Sequence, residues 1–162
     1  MSGGEDRSYT TGRIPTGFKR HVLSWHRAAA SRDLPMNAAE RLLAASRAHD
    51  VEAAEAELAP AVVMLNPASD EAVSGRDAVA AALRGVDAAC DEFRHTHLLV
   101  DTAPNERPLY GLVFEARVGD HGLRGIDLVE IDESLDRIAT FTVMARPVAA
   151  LMALGARMTG SR

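Results

Sequence analysis

Apolar residues recur at two different spacings along this 162-residue chain, and the change from one to the other organises it. Residues 1–16, rich in Gly, Ser and Thr with Pro15, read as a flexible lead-in. Phe18, Val22, Trp25 and Ala29 then return at helical intervals with Lys19, Arg20, Arg27 and Arg32 between them, which predicts an amphipathic helix over 17–31. Leu34-Pro35 ends that element, so 1–34 forms a leader with its helix and 35–162 the main domain. Asn37 is a good N-cap for a helix running to about His49, with Leu42 and Leu43 turned inward. Asp50 caps a second helix near 51–58, which Pro60 stops. Ala61 to Leu65 reads as a short buried strand and Asn66-Pro67-Ala68-Ser69-Asp70 as a turn. Gly75-Arg76-Asp77 opens a third helix whose apolar face includes Val79, Leu83 and Val86.

From Glu92 the period shortens to two. Strands are predicted over 92–101, 108–118, 122–131 and 137–146, separated by Pro104-Asn105-Glu106, Gly119-Asp120 and Asp132-Glu133-Ser134. Connections this short favour an antiparallel meander, and Val148 to Arg157 reads as a closing helix. Three helices, a short strand and four meandering strands define an α+β fold. The expected form is a cone: a curved antiparallel sheet covered by three helices, with an extra N-terminal and a C-terminal helix. Such a cone leaves a blind pocket between its layers.

Composition narrows the chemistry. A hydrophobic content of 47% supports a real core without a staple. Cys90 is the sole cysteine, so no intrachain disulfide can form, and a reducing cytoplasm is the expected setting. Apolar runs such as AVVML at 61–65 are far shorter than a membrane span, and residues 1–34 lack the run and cleavage site of a secretory signal. Net charge is −5, with six Lys/Arg against three Asp/Glu over 1–34 and 12 against 20 in the remainder. An acidic body argues against a nucleic-acid groove. No metal or cofactor is expected, since no His/Cys spacing supplies a third ligand beside His95 and His97. Heavy Ala and Arg use, with Lys19 the only lysine, suggests a GC-rich bacterial genome.

The run AHDVEAAEAELAPAVVMLNPASDEAVSGRDAV (48–79) resembles the helix–helix–strand–Gly-Arg-Asp helix of nuclear transport factor 2-like proteins, and GIDLVEID with RIATFTVMARP (125–147) resembles their last hairpin. The resemblance covers about 37–157 and extends to SnoaL-like proteins, ketosteroid isomerase and limonene epoxide hydrolase. Against ketosteroid isomerase, Phe114-Glu115 to Asp127 matches without a gap, and Asp127 falls where that family keeps a protonated, hydrogen-bond-donating aspartic acid. Asn66-Pro67 occupies the place of its general-base Asp-Pro, however, and Leu42 that of its oxyanion-hole tyrosine. An amide cannot abstract a carbon-bound proton, so steroid isomerisation by that mechanism is disfavoured. Against limonene epoxide hydrolase, Asn66 and Arg117 find counterparts, but Gly119 and Val143 stand in place of two aspartates and Met64 in place of a tyrosine. The resemblance also implies pairing of two copies through the outer sheet face.

The candidates then rest on face and neighbours. Asp127, flanked on its own face by Gly125 and Val129, is either a desolvated acid facing the pocket or an outward carboxylate in a solvent-facing row. His95 and His97, at i and i+2, share a face with Phe93 and Leu99, and either could be a base. Asn66 is either a turn residue or an amide orienting water or a carbonyl. Tyr110 lies inward in the isomerase register, as an oxyanion donor or a core tyrosine. Leu42, Met64, Leu112, Phe114, Val129, Phe141 and Val143 form the expected substrate-binding wall, implying a small apolar metabolite. Arg146-Pro147 anchors the closing helix or a neighbouring subunit, and Cys90 is expected to be buried rather than nucleophilic. Two functions follow: a cofactor-independent acid/base enzyme (cyclase, isomerase, dehydratase or epoxide hydrolase) on an apolar oxygenated metabolite, or a non-catalytic ligand-binding or dimerisation module of the same fold.

Overall fold

The computed structural model describes residues 36–101 and 108–160, all within one compact unit, Met36–Arg162. The 1–34 leader with its helix and the Pro104-Asn105-Glu106 turn lie outside the described residues.

Helix α1 (Ala38–Arg47) begins at its expected cap, where Asn37 Oδ1 accepts the Glu40 N–H and the Glu40 carboxylate accepts the Asn37 N–H, each at 3.0 Å. It ends at Arg47 rather than His49, which takes φ 54° and turns the chain toward α2 (Val51–Ala56). The Asp50 carboxylate caps α2, accepting the Ala53 N–H at 3.0 Å. Strand β1 (Leu58–Leu65) starts earlier than expected and contains Pro60, which therefore does not stop a helix. The ladder from β1 to its neighbour shifts register between Leu58 and Val63, the kind of irregular stretch in which a strand tolerates proline. Strand β2 (Val73–Ser74), too short to show a period, pairs with β1. Helix α3 (Arg76–Ala89) is fastened to β1 at its start: the Gly75 N–H donates to Val62 O at 2.8 Å, and Arg76 Nε to Leu58 O at 2.9 Å. Gly75 needs φ 91° to make that turn, which a side chain would strain.

Strands β3 (Glu92–Val100), β4 (Leu109–Val118), β5 (His121–Asp132) and β6 (Arg137–Arg146) form the expected antiparallel meander, followed by α4 (Val148–Gly160). The sheet order is β2-β1-β6-β5-β4-β3, curved and unclosed. One correction applies: β1 lies parallel to β6, so the whole sheet is mixed rather than antiparallel. The physical reason is connectivity, since β1 reaches β6 from the far end of the chain and no hairpin fixes its direction.

Two apolar clusters fill the space between sheet and helices. The first joins Leu42 of α1, Val79 of α3 and the inward Leu58, Val62, Leu112, Val129 and Ile138. The second joins Phe114, Val118 and Leu123 to Ala89 of α3 and Ala150 and Leu154 of α4. Along β5, Leu123 belongs to the second and Val129 to the first, and Asp127 falls at the seam. Arg41 locks the first end of the fold: its guanidinium donates to Glu57 at 2.7 and 2.9 Å and to the Asp136 carboxylate at 2.8 Å, tying α1 to the start of β1 and to the β5–β6 turn. The Glu57 and Asp136 carboxylates hold the Arg41 pKa above its already high ordinary value.

Gly125 lies opposite Phe114 on β4, and a methyl group there would fall on the Phe114 ring and on the Met144 carbonyl oxygen. Gly125→Ala is expected to lower stability by about 1–3 kcal/mol, the usual cost of overpacking. The urea midpoint measures this, and a midpoint equal to wild type would mean the ring has another place to go.

Candidate active site

The site is created by a break in the two-residue period of β3. Phe93 pairs with Ala116 and His95 with Phe114, both on the inner row, but a bulge at Thr96 sets His97 opposite Val113 on the outer row. The two histidines therefore do not share a face, against the expectation from their spacing. His95 is buried and His97 exposed, with its Nδ1 2.9 Å from the Thr96 hydroxyl. Leu99 goes outward with His97, and Leu98 takes the inner position.

On β5, Asp127 faces inward and is only 4% exposed. Its Oδ2 lies 2.9 Å from His95 Nε2, and His95 Nδ1 lies 2.7 Å from the Ser46 hydroxyl of α1. Both ring nitrogens are therefore engaged. With a neutral imidazole, two arrangements satisfy these distances: the hydroxyl donates to Nδ1 while Nε2–H donates to a carboxylate, or a protonated Asp127 donates to Nε2 while Nδ1–H donates to the hydroxyl. Phe93 meets the His95 ring edge-on at 5.1 Å, Phe114 does so at 6.3 Å, and the two phenyl rings stack at 5.3 Å. Burial among these groups pushes the Asp127 pKa up, with the hydrogen bond and charge of His95 opposing it.

Ser46, His95 and Asp127 line one cavity of about 100 Å³ whose walls include Leu42, Leu83 and Phe141. Exposed His49, Asp50 and Asp87 stand on its solvent side. Of the expected wall, Leu42 and Phe141 line this cavity. Met64, Leu112, Phe114 and Val129 are buried in the core around it, and Val143 is half-buried, paired across the strand with Asp127. Asn66 turns its Oδ1 to the Ala68 N–H at 2.9 Å, forming its own turn, and is not among the residues lining the cavity. Tyr110 also lies outside it, its hydroxyl accepting from Asn37 Nδ2 at 3.2 Å, with its pKa raised by burial and by the charges of Glu40, Glu133 and Asp136. Arg117 points outward and pairs with Glu92. Cys90 is half-buried, and burial with neighbouring Asp87 and Asp91 raises its thiol pKa.

Ser46 was not anticipated. A signal existed, because Ser46 is four residues after inward Leu42 and so lies on the same helix face. The His95–Asp127 pairing had none, since it depends on the bulge and on a 32-residue separation.

Because the folded pKa of Asp127 is raised, its favourable contribution is present below the ordinary carboxylate range and is lost as pH rises through the folded value. Asp127→Asn removes that dependence. The wild type is therefore expected to lose stability relative to Asp127→Asn as pH rises from 4 toward 7, read as the difference of urea midpoints. A flat difference would show that Asp127 titrates as an ordinary carboxyl.

No helix among the described residues is long and apolar enough to cross a membrane. A search of curated protein sequences finds no significant match. Among solved structures, the chain is similar to a steroid delta-isomerase from Pseudomonas aeruginosa, at 30% identity and TM-score 0.68, over 81% of this chain and 95% of that one. It is similar at 27% identity and TM-score 0.66 to an uncharacterized cystatin-like-fold protein from Silicibacter pomeroyi, over 76% and 84%. A putative ketosteroid isomerase from Kribbella flavida, 20% identical over 68% and 76% with TM-score 0.55, shares the fold. The SnoaL-like domain profile matches residues 39–139. With the sheet, the covering helices and this match in agreement, the chain belongs to the SnoaL-like domain family within the nuclear transport factor 2-like superfamily.

Proposed function

We propose that the protein is a cofactor-independent enzyme that moves a proton within a small, largely apolar, oxygenated molecule, with Asp127 as the group that gives and takes it. The observation that carries this reading is a carboxyl at the seam of the core, bonded to His95 and lining an apolar cavity. When protonated, Asp127 donates to a carbonyl or epoxide oxygen; when ionised, it accepts a proton from carbon, and a raised pKa keeps the protonated form in use at higher pH than an ordinary carboxyl allows. His95 has no free ring nitrogen to meet a substrate, so its role here is to stand behind the carboxyl. The steroid delta-isomerase similarity supports proton transfer as the reaction type. The cavity supports a smaller substrate than a steroid: about 100 Å³ is well under the roughly 300 Å³ of drug-sized sites and nearer the 150 Å³ that admits benzene.

Two probes of that size test the reading: conversion of 3-cyclohexen-1-one to its conjugated isomer, followed by absorbance, and hydrolysis of cyclohexene oxide, followed by chromatography. The wild type is expected to accelerate the ketone reaction, with Asp127→Asn losing about 10²–10⁴-fold. The alternative is a non-catalytic binding module, favoured by the self-bonded amide of Asn66 and by Leu42 in the cavity wall. Thermal stabilisation by the ketone with no turnover of either probe would select it.

We also propose a homodimer paired through the outer face of the sheet. Ile126, Leu128 and Val113 share that face with Leu99 and Met144, which are 53% and 52% exposed. Light scattering is expected to give twice the chain mass for wild type and the single-chain mass for Met144→Asp.

A further inference from the structure

We propose that Ser46, His95 and Asp127 form a two-ended proton relay, with Ser46 a second catalytic residue at the end opposite the carboxyl; this rests on the acid/base reading above. All three line one cavity, and the two hydrogen bonds of 2.7 and 2.9 Å run through both ring nitrogens of a buried imidazole. Helical serines commonly bond back to the carbonyl of the preceding turn. Ser46 instead turns its hydroxyl across the cavity to β3.

In the loaded state Asp127 Oδ2–H donates to Nε2, Nδ1–H donates to Ser46 Oγ, and the serine hydroxyl proton is free to meet a substrate atom. Discharge breaks three X–H bonds and makes three. The hydroxyl proton passes to the substrate, the Nδ1 proton to Oγ, and the Oδ2 proton to Nε2. What remains is an Asp127 carboxylate, a neutral imidazole protonated at Nε2, and a hydroxyl donating to Nδ1. The carboxylate then takes a proton from a second substrate atom, which leaves the ring proton on Nε2; the loaded tautomer returns when Nε2 loses that proton to water and Nδ1 takes one from water at the solvent side of the cavity. One proton leaves one atom of the substrate and one reaches another, and the ring tautomer is reset between turnovers. Keeping the imidazole neutral in both resting states avoids burying an imidazolium and a carboxylate together in an apolar site. The substrate class is therefore a molecule with proton donor and acceptor at the two ends of a short conjugated unit, such as an enolisable or β,γ-unsaturated carbonyl compound.

The other titratable groups around the cavity are exposed: His49 and Asp50 on the α1–α2 turn and Asp87 on α3. None of the three bonds the ring, whose two nitrogens are taken by Ser46 and Asp127.

Ring-nitrogen NMR on the full-length ¹⁵N-labelled protein tests this without substrate, with His95 assigned by His95→Gln. Expected in wild type is a single pH step at which the protonated nitrogen changes from Nδ1 at low pH to Nε2 at high pH. Ser46→Ala should change the Nδ1 signal on both sides of the step, Ser46→Thr should restore it, and Ser46→Ala should slow the ketone reaction tenfold or more. Both nitrogens protonated below the step, a proton that never changes nitrogen, or a Ser46→Ala spectrum identical to wild type would each overturn the relay. A swap in a protein that converts neither probe would fault the enzymatic reading alone; turnover without a swap would fault the relay alone.

Discussion

A carboxyl in the middle of β5, with strands bonded on both sides and helices across its face, loses most of its water and must find a partner within the protein. That constraint on Asp127 shapes its surroundings. β3 has to bring an imidazole inward at His95, while the same strand a few residues later must supply Leu98 to the first apolar cluster. A strict alternation cannot place both residues 95 and 98 inside. The bulge at Thr96 resolves the conflict, and the Thr96 hydroxyl bonds across to Val113 O at 3.2 Å where the ladder is interrupted. Phe114 then closes over the imidazole, which requires that its neighbour across the strands be glycine, and Gly125 is that residue.

Much of the frame was legible because it depends on local chemistry. Asn37 and Asp50 each announce a helix start through a cap to an amide a few residues on, the Gly75-Arg76 pair announces a third by its residue types, and all three starts are observed. The meander was legible because its connections are short. What escaped has a common cause, dependence on partners distant in the chain. Pro60 suggested a helix stop, yet it sits in a strand whose register is set by β6. β2 exists only as an edge beside β1. His95 and His97 look equivalent in sequence, and only the pairing with β4 separates them.

The same contrast applies to the residues brought forward by family position. Asp127 carries its own local signal, an acidic residue between Gly125 and Val129, and it is buried. Asn66 and Tyr110 had position but also a simple structural use. Asn66 precedes proline at a strand end and bonds its own turn. The Tyr110 hydroxyl accepts from the cap residue of α1, joining the sheet to that helix away from the cavity. A scaffold can keep such positions for architecture while the chemistry around them changes, which is why fold membership by itself does not name a reaction.

The location of the polar pair at a seam also bears on what the cavity can do. Had Asp127 lain within either apolar cluster, the side chains around it would leave no room for a ligand. Had it lain at the sheet edge, water would hold it in the ordinary carboxylate range. Between the clusters it is enclosed by Phe93, Phe114 and Phe141 and yet lines the cavity toward α1 and α3, so one carboxyl is both desolvated and reachable. The Arg41 clamp holds α1 against β1 and the β5–β6 turn, and through α1 it fixes how far Ser46 stands from the sheet. A hydrogen-bonded series that must span helix and sheet within about 3 Å per link tolerates little relative movement of the two layers. The ion pairs at one end of the fold thereby set the geometry on which the proposed proton transfer at the other part of α1 depends.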